Sequence, residues 1–94
     1  EQGEIPSAFR LDQNYPNPFN PSTVISFDVA KAGRVSLRVY NMIGQLVATL
    51  VDGVREPGAY KMSFNASSLP SGVYFYSLTA DGAGIQTKKM TLLK

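Results

Sequence analysis

The stretch Asn14-Tyr15-Pro16-Asn17-Pro18-Phe19-Asn20-Pro21 narrows the choice of fold more than any other part of this chain. Each proline fixes its own φ and offers no backbone donor. Each also pushes the residue before it toward extended geometry. Tyr15, Asn17 and Asn20 therefore cannot begin a helix, and the segment cannot be a central strand. Asn17 and Asn20 are suited to bond nearby backbone groups and set tight turns. Tyr15 and Phe19 are too apolar for a free loop tip and are expected to tuck inward. The segment reads as a stiff corner ahead of the strand-like run Ser22–Val29.

The rest of the chain is a series of alternating runs. Glu1–Ala8 has the composition of a linker, and the domain proper is expected over residues 9–94. Phe9–Gln13 alternates and predicts a short first strand. In Ser22–Val29, Ile25, Phe27 and Val29 share one face; in Arg34–Tyr40, Val35, Leu37 and Val39 do. Period-two alternation marks a strand with one wet face. Asn41–Gly44 reads as a tight connection, with Gly44 free to take φ > 0. Gln45–Val51 is apolar on both parities, which leaves its register open. Asp52-Gly53 predicts a turn, continued through Glu56-Pro57-Gly58. Ala59–Asn65, Val73–Thr79 and Ile85–Leu93 complete the set, with Asp81–Gly84 as a hairpin connection.

Seven short strands with turn signals every roughly 8–12 residues predict an all-β, immunoglobulin-like antiparallel sandwich of Greek-key type. Leu69-Pro70-Ser71-Gly72-Val73-Tyr74 supports it, because a tyrosine entering a late strand from such a loop matches a tyrosine corner. The expected core is Ile25, Phe27, Val35, Leu37, Val39, Tyr60, Met62, Phe64, Tyr74, Leu78 and Met90. With 94 residues the chain makes one domain with a modest core.

Composition removes several functions. No cysteine is present, so neither a disulfide framework nor a thiolate metal site is available. No histidine is present either, which takes away the commonest general base and metal ligand. The carboxylates Asp12, Asp28, Asp52, Glu56 and Asp81 show no spacing that enforces proximity, and Asp52 and Asp81 precede glycines as turn residues do. We expect no catalytic residues, no metal and no cofactor. Calcium could use Asp and Asn oxygens, but no Asp-x-Asp-x-Asp-Gly loop occurs. Nine basic residues against seven acidic ones give a net charge of only +2. That excess is too scattered for a nucleic-acid-binding stripe. No apolar run approaches the about 18–20 residues of a membrane span. The polar start Glu1–Ser7 is no signal peptide, and a first residue of Glu fits a piece of a longer chain. Tyr15, Phe19, Tyr40, Tyr60, Tyr74, Phe75 and Tyr76 offer a sugar-stacking platform. Core packing of Tyr60 and Tyr74 and the absence of tryptophan stand against it.

The motifs carry further information in combination. Leu11-x-Gln13-Asn14-Tyr15-Pro16-Asn17-Pro18-Phe19-Asn20-Pro21-x-Thr23 closely resembles the opening of the C-terminal type A sorting domain of the type IX secretion system. That family is in turn similar to the immunoglobulin-like domain of the flagellar hook-capping protein. The resemblance continues, in order, through Val39-Tyr40-Asn41-x-x-Gly44-Gln45-x-Val47-x-x-Leu50, Gly58-x-Tyr60 and Leu69-x-Ser71-Gly72-Val73-Tyr74-Phe75-Tyr76-x-Leu78. It closes with Thr87-Lys88-Lys89-Met90-x-Leu92-Leu93-Lys94. Phe64 stands where members often carry tryptophan, and Asn65-Ala66 replaces a common Asp-Gly turn.

The resemblance implies a non-catalytic address. An outer-membrane translocon reads the folded domain, a sortase-like peptidase cuts upstream of it, and an upstream cargo domain is released or attached at the cell surface. By that analogy Glu1–Ala8 lies in or beside the cleavage region. The resemblance carries recognition onto Lys88, Lys89, Lys94, Gly72 and Tyr74. It carries a structural role onto Asn14, Pro16, Asn17, Pro18, Phe19, Asn20, Pro21, Tyr40, Asn41 and Gly44. Gly44, Gly72 and Tyr74 are also explained by turn and corner geometry. The terminal lysines show no packing role in the sequence, and are either recognition groups or the solvated charges of an edge strand. A carbohydrate-binding or spacer sandwich of a secreted enzyme is the alternative reading, and a hook-cap-like structural module is a third.

Overall fold

The computed structural model describes residues 6–94, so most of the expected linker Glu1–Ala8 lies outside the described residues. Seven strands follow one another: β1 (Arg10–Leu11), β2 (Ser22–Val29), β3 (Gly33–Tyr40), β4 (Leu46–Arg55), β5 (Gly58–Asn65), β6 (Gly72–Ala80) and β7 (Gly84–Leu92). They build a three-stranded sheet in the order β1-β2-β5 and a four-stranded sheet in the order β4-β3-β6-β7. Every pairing between strands is antiparallel. Alternation places the core as expected. Ile25, Phe27 and Val29 of β2 face Val35, Leu37 and Val39 of β3 across the sandwich, and Tyr74, Tyr76, Leu78, Met90 and Leu92 complete the inner face.

Four expectations change. Asp52-Gly53 is not a turn: β4 runs through it, with Asp52 opposite Ser36 and Gly53 opposite Val35. A full-length β3 needs a full-length partner, and Asp52 turns outward to meet Arg34 at 2.8 Å. The chain reverses instead at Glu56-Pro57, where proline cannot extend the ladder. The ambiguous parity of β4 also has a cause. Its register against β3 shifts between Leu37 and Arg38 and again between Val39 and Tyr40, so Leu50 and Val47 are extra residues at bulges.

The core differs from expectation in membership. Tyr60 and Met62 are half-buried at its margin, while Leu11, Phe19, Val51, Ala66 and Tyr76 are fully inside. Tyr60 stacks on Phe27 with ring centroids 5.4 Å apart. Its hydroxyl donates to the Glu56 carbonyl at 2.6 Å, which keeps its outer end at the surface. Tyr74 donates in the same way to the Pro70 carbonyl at 2.6 Å, the expected tyrosine corner.

The proline segment divides its two aromatics. Phe19 is buried and packs on Phe64, 6.3 Å between centroids. Tyr15 is 81% exposed, contrary to expectation. Its backbone, not its ring, is what the fold uses: Tyr15 and Val24 exchange both N–H···O bonds at 3.0 Å. The bonds Tyr15–Pro16, Asn17–Pro18 and Asn20–Pro21 are all cis.

Residues 9–19 thus lie along the seam between the two sheets and fasten both. On one side Asp12 and Tyr15 bond to β2. On the other, Gln86 donates to the Phe9 carbonyl and accepts from the Leu11 N–H, while Gln13 donates to the Lys89 carbonyl. Asn17 accepts from the Thr91 N–H, not from a local donor as expected, and Asn20 is exposed. Phe19 then bonds Thr91 and Leu93 through its backbone. At the centre the buried Tyr76 hydroxyl donates to the Asp12 carbonyl and accepts from the Asn14 N–H, both at 2.7 Å. Asn14, itself buried, donates to the Pro16 carbonyl and to Thr23 Oγ1.

Burial pushes the Tyr76 phenol up to about 12. A folded-state value raised above the ordinary phenol value of about 10 means the fold favours the protonated form. That stabilisation is complete below about pH 10 and is lost as pH rises toward 12. Tyr76→Phe is expected to lower stability at neutral pH by about 1–3 kcal/mol, by orphaning the Asp12 carbonyl and Asn14 N–H. It should also lack the part of the alkaline decline that Tyr76 causes. Urea unfolding of both proteins, at neutral pH and across the alkaline range, measures each effect.

Candidate functional site

The strand order collects the motif residues at one end of the sandwich. β2 and β6 start there, and β3, β5 and β7 finish there. The segments gathered at this pole are Phe19–Pro21, Asn41–Gln45, Ala66–Gly72 and Leu93–Lys94. Phe9 and Arg10 stand at the opposite pole, because Arg10 pairs with Asp28 at the far end of β2.

The Asn41–Gln45 turn is built by one side chain. Asn41 Oδ1 accepts from the N–H groups of Ile43 at 3.1 Å and Gln45 at 3.0 Å, and Asn41 Nδ2 donates to Gln45 Oε1 at 2.9 Å. Gly44 closes the turn at φ +85°, a backbone state that glycine enters without penalty. With Asn41 and Gly44 committed to the loop, Met42 and Ile43 point away from it. They are 70% and 79% exposed.

Facing this turn is the loop that carries the tyrosine corner. Tyr74, Gly72, Val73 and Ser71 form one wall and Asn41, Met42 and Ile43 the other wall of a cleft of about 260 Å3. Lys94 is fixed beside it: its backbone N–H donates to Ser71 Oγ at 3.0 Å and its Nζ to the Ser67 carbonyl at 2.6 Å.

Of the expected recognition residues, this pole brings together Gly72, Tyr74 and Lys94. Lys89 lies further along β7, exposed on the outer face and in register with Phe75, which neighbours Tyr40 on β3. Lys88 is not with them. It is half-buried on the core-facing parity of β7, opposite Tyr76. Lys94 and Lys88 therefore have structural surroundings that their sequence did not show, while the Lys89 side chain stays exposed. Asn14, Pro16, Asn17 and Pro18 run along the seam, and Phe19, Asn20, Pro21, Tyr40, Asn41 and Gly44 reach the pole. Met42, Ile43 and Ser71 line the cleft without having been singled out. The available signal was the spacing Asn41-x-x-Gly44, which commits the outer two residues to the turn and leaves the inner two outward.

Among the described residues no three carboxylates gather as a metal site would need. The ion pairs found are Arg10 with Asp12 at 3.1 Å and Asp28 at 3.8 Å, and Arg34 with Asp52. All of them lie away from this pole. A second depression of about 240 Å3, on the outer face of the four-stranded sheet, holds Arg34, Arg38, Asp52 and Asp81.

A family model described as the secretion system C-terminal sorting domain matches residues 13–92. No curated protein matches the chain. Among solved structures, dimeric latent PorU from Porphyromonas gingivalis aligns at 18% identity and a TM-score of 0.68, over 97% of this chain and 10% of that one. A β-glucosidase from Listeria innocua, in complex with laminaribiose, aligns at 8% identity and a TM-score of 0.58, over 92% of this chain and 16% of that one. At these identities the likeness is one of fold. The chain spans only a small fraction of either neighbour's length.

Gly44→Ala is expected to destabilise the domain by about 1–2 kcal/mol through backbone strain alone, since an added Cβ there meets open space. Asn41→Ala should speed amide exchange at Ile43 and Gln45 while leaving β6 and β7 protected. Hydrogen exchange followed by NMR reads both effects residue by residue.

Proposed function

Since the chain belongs to the secretion system C-terminal sorting domain family, we propose that the pole formed by the Asn41–Gln45 turn, the Ser71–Tyr74 loop and Lys94 is the surface that the export machinery reads. The domain is a non-catalytic sorting signal of type IX secretion. It marks the protein that carries it for passage across the outer membrane, to the cell surface or beyond. The finer assignments are ours. The reader of the pole is the outer-membrane translocon. The peptidase acts at Glu1–Ala8, upstream of the domain. The cargo precedes that segment and is released or attached at the surface after the cut.

One observation carries this reading: the motif residues separated in sequence, Tyr40-Asn41, Gly44, Gly72-Tyr74 and Lys94, converge on one pole while Phe9 and Arg10 stand at the other. β7 runs nine residues between the poles, roughly 25–30 Å. A cargo attached through the linker leaves the far pole unobstructed. Recognition and cleavage then occur at opposite ends of one rigid body.

The geometry also decides which test is clean. Removing Lys88–Lys94 would take Met90 and Leu92 out of the core, so lost export would only report unfolding. Point substitutions avoid this. A periplasmic reporter fused ahead of Glu1 should leave the cell only in bacteria that possess the type IX system. Met42→Ser with Lys94→Ser should reduce that export about tenfold, the equivalent of roughly 1.4 kcal/mol of lost binding. Lys31→Ser, in a turn of the opposite pole, should not reduce it. Reporter retained in the periplasm by the unaltered domain would refute the sorting function. Undiminished export of the double variant would remove the pole.

A further inference from the structure

We propose that the cleft between the Asn41–Gln45 turn and the Ser71–Tyr74 loop takes an apolar side chain from an extended, acidic segment of a partner protein. The proposal rests on the sorting reading and gives the chemistry of what that pole recognises.

Shape comes first. The cleft, of about 260 Å3, is a shallow depression open on its outer side, smaller than a small-molecule pocket and with room for a single side chain. Its rim is Met42 and Ile43, held outward by a turn that Asn41 has already fixed. A rigid turn loses little conformational freedom on binding, so most of the contact energy is retained. Leu46, at the start of β4, is 53% exposed and extends the apolar area. Solvent-exposed Met and Ile on a pre-formed loop tip, beside a concavity, have the character of an interaction patch, not of scattered surface residues.

Charge then selects the occupant. Residues 13–23, 39–48, 62–75 and 89–94 build this half of the molecule, and they contain no Asp or Glu. They do contain Lys89 and Lys94. The acidic side chains of the domain, Asp12, Asp28, Asp52, Glu56 and Asp81, all lie elsewhere. A concave apolar site with Lys94 beside it and no carboxylate around it complements an apolar anchor with acidic neighbours, and rejects a basic segment by like-charge repulsion. Lys94 is pinned at Ser67 and Ser71, beside the cleft wall, and Lys89 stands on the outer face behind it. A membrane surface would also welcome Met, Ile and Lys. It would offer no single side chain to seat in the depression between the two loops, and this favours a protein segment.

The test uses the 94-residue chain with labelled Met, Ile, Leu and Val methyl groups, titrated with the synthetic peptide acetyl-Asp-Asp-Leu-Asp-Asp-amide. Saturable NMR shifts are expected at Met42, Ile43 and Val73. The peptide with Ser in place of Leu, and the peptide with Lys in place of every Asp, should each bind at least about tenfold more weakly, roughly 1.4 kcal/mol. Ile43→Ser and, separately, Met42→Ser should weaken the acidic peptide similarly without lowering the melting temperature. Absence of shifts at Met42 and Ile43 with millimolar peptide, or equal binding of the control peptides, would overturn the proposal. So would shifts produced by anionic phosphatidylglycerol vesicles and not by the peptide, which would assign the pole to a membrane. The reporter separates the two levels. Wild-type export with undiminished export of Ile43→Ser sinks the cleft and spares the sorting function, whereas a retained wild-type reporter sinks the sorting function itself.

Discussion

The Tyr76 hydroxyl holds the segment ahead of β2 to the four-stranded sheet. It lies at the centre of the molecule, on a strand of the four-stranded sheet, and bonds the backbone of Asp12 and Asn14 on the incoming segment. A phenol is one of the few groups long enough to cross the core and polar enough at its tip to satisfy a buried carbonyl and a buried amide together. The bonds on either side follow from that anchor. Gln86 reaches from β7 to the backbone of Phe9 and Leu11, and Gln13 and Asn17 reach back to the β7 backbone at Lys89 and Thr91. β7 would otherwise be an open edge, able to pair with another chain. The incoming segment covers part of that edge by side-chain amides and by the backbone of Phe19, and prolines prevent it from becoming a regular strand that offers an edge of its own.

This dependence explains why the fold was legible in the sequence and the seam was not. Alternation is a local signal, and β2, β3, β5, β6 and β7 were read from it to within a residue or so at each end. The tyrosine corner was legible for the same reason: Tyr74 and its acceptor Pro70 are four residues apart. Tyr60 and Glu56 repeat that spacing after Pro57-Gly58, a parallel that was present in the sequence and unused. The failures all concern partners distant in sequence. Asp52-Gly53 has the local chemistry of a turn, but β3 dictates a straight partner there and Arg34 receives the carboxylate. Tyr15 is apolar enough for the core, but its position opposite Val24 turns the ring outward. Tyr76 follows Phe75 and Tyr74, and nothing within that run reveals that its hydroxyl has a partner more than sixty residues away. The candidate site was partly legible. Asn41, Gly44, Gly72, Tyr74 and Lys94 stood out as motif positions, but only topology shows that they converge, and only exposure shows that Met42 and Ile43 are what they present.

The side-chain chemistry of this pole has one more consequence. Beside its serines and Lys94 it carries the amides Asn20, Asn41, Gln45 and Asn65, and the adjoining seam carries Asn14 and Asn17. An amide both donates and accepts, whereas a carboxylate only accepts. At position 41 an aspartate could still accept from the Ile43 and Gln45 N–H groups, as Asx turns commonly do. It could not donate to Gln45 Oε1, and it would set a negative charge at the mouth of the cleft. At position 14 a buried carboxylate would face the Pro16 carbonyl, an arrangement that burial makes costly. At position 17 no such local penalty exists, because the Thr91 N–H is a donor that a carboxylate would accept from equally well. Structure alone therefore requires amides at some of these positions and permits acids at others. The exclusion of negative charge from the pole and the adjoining seam, including the places where folding would tolerate it, is the property that a partner bearing negative charge would require.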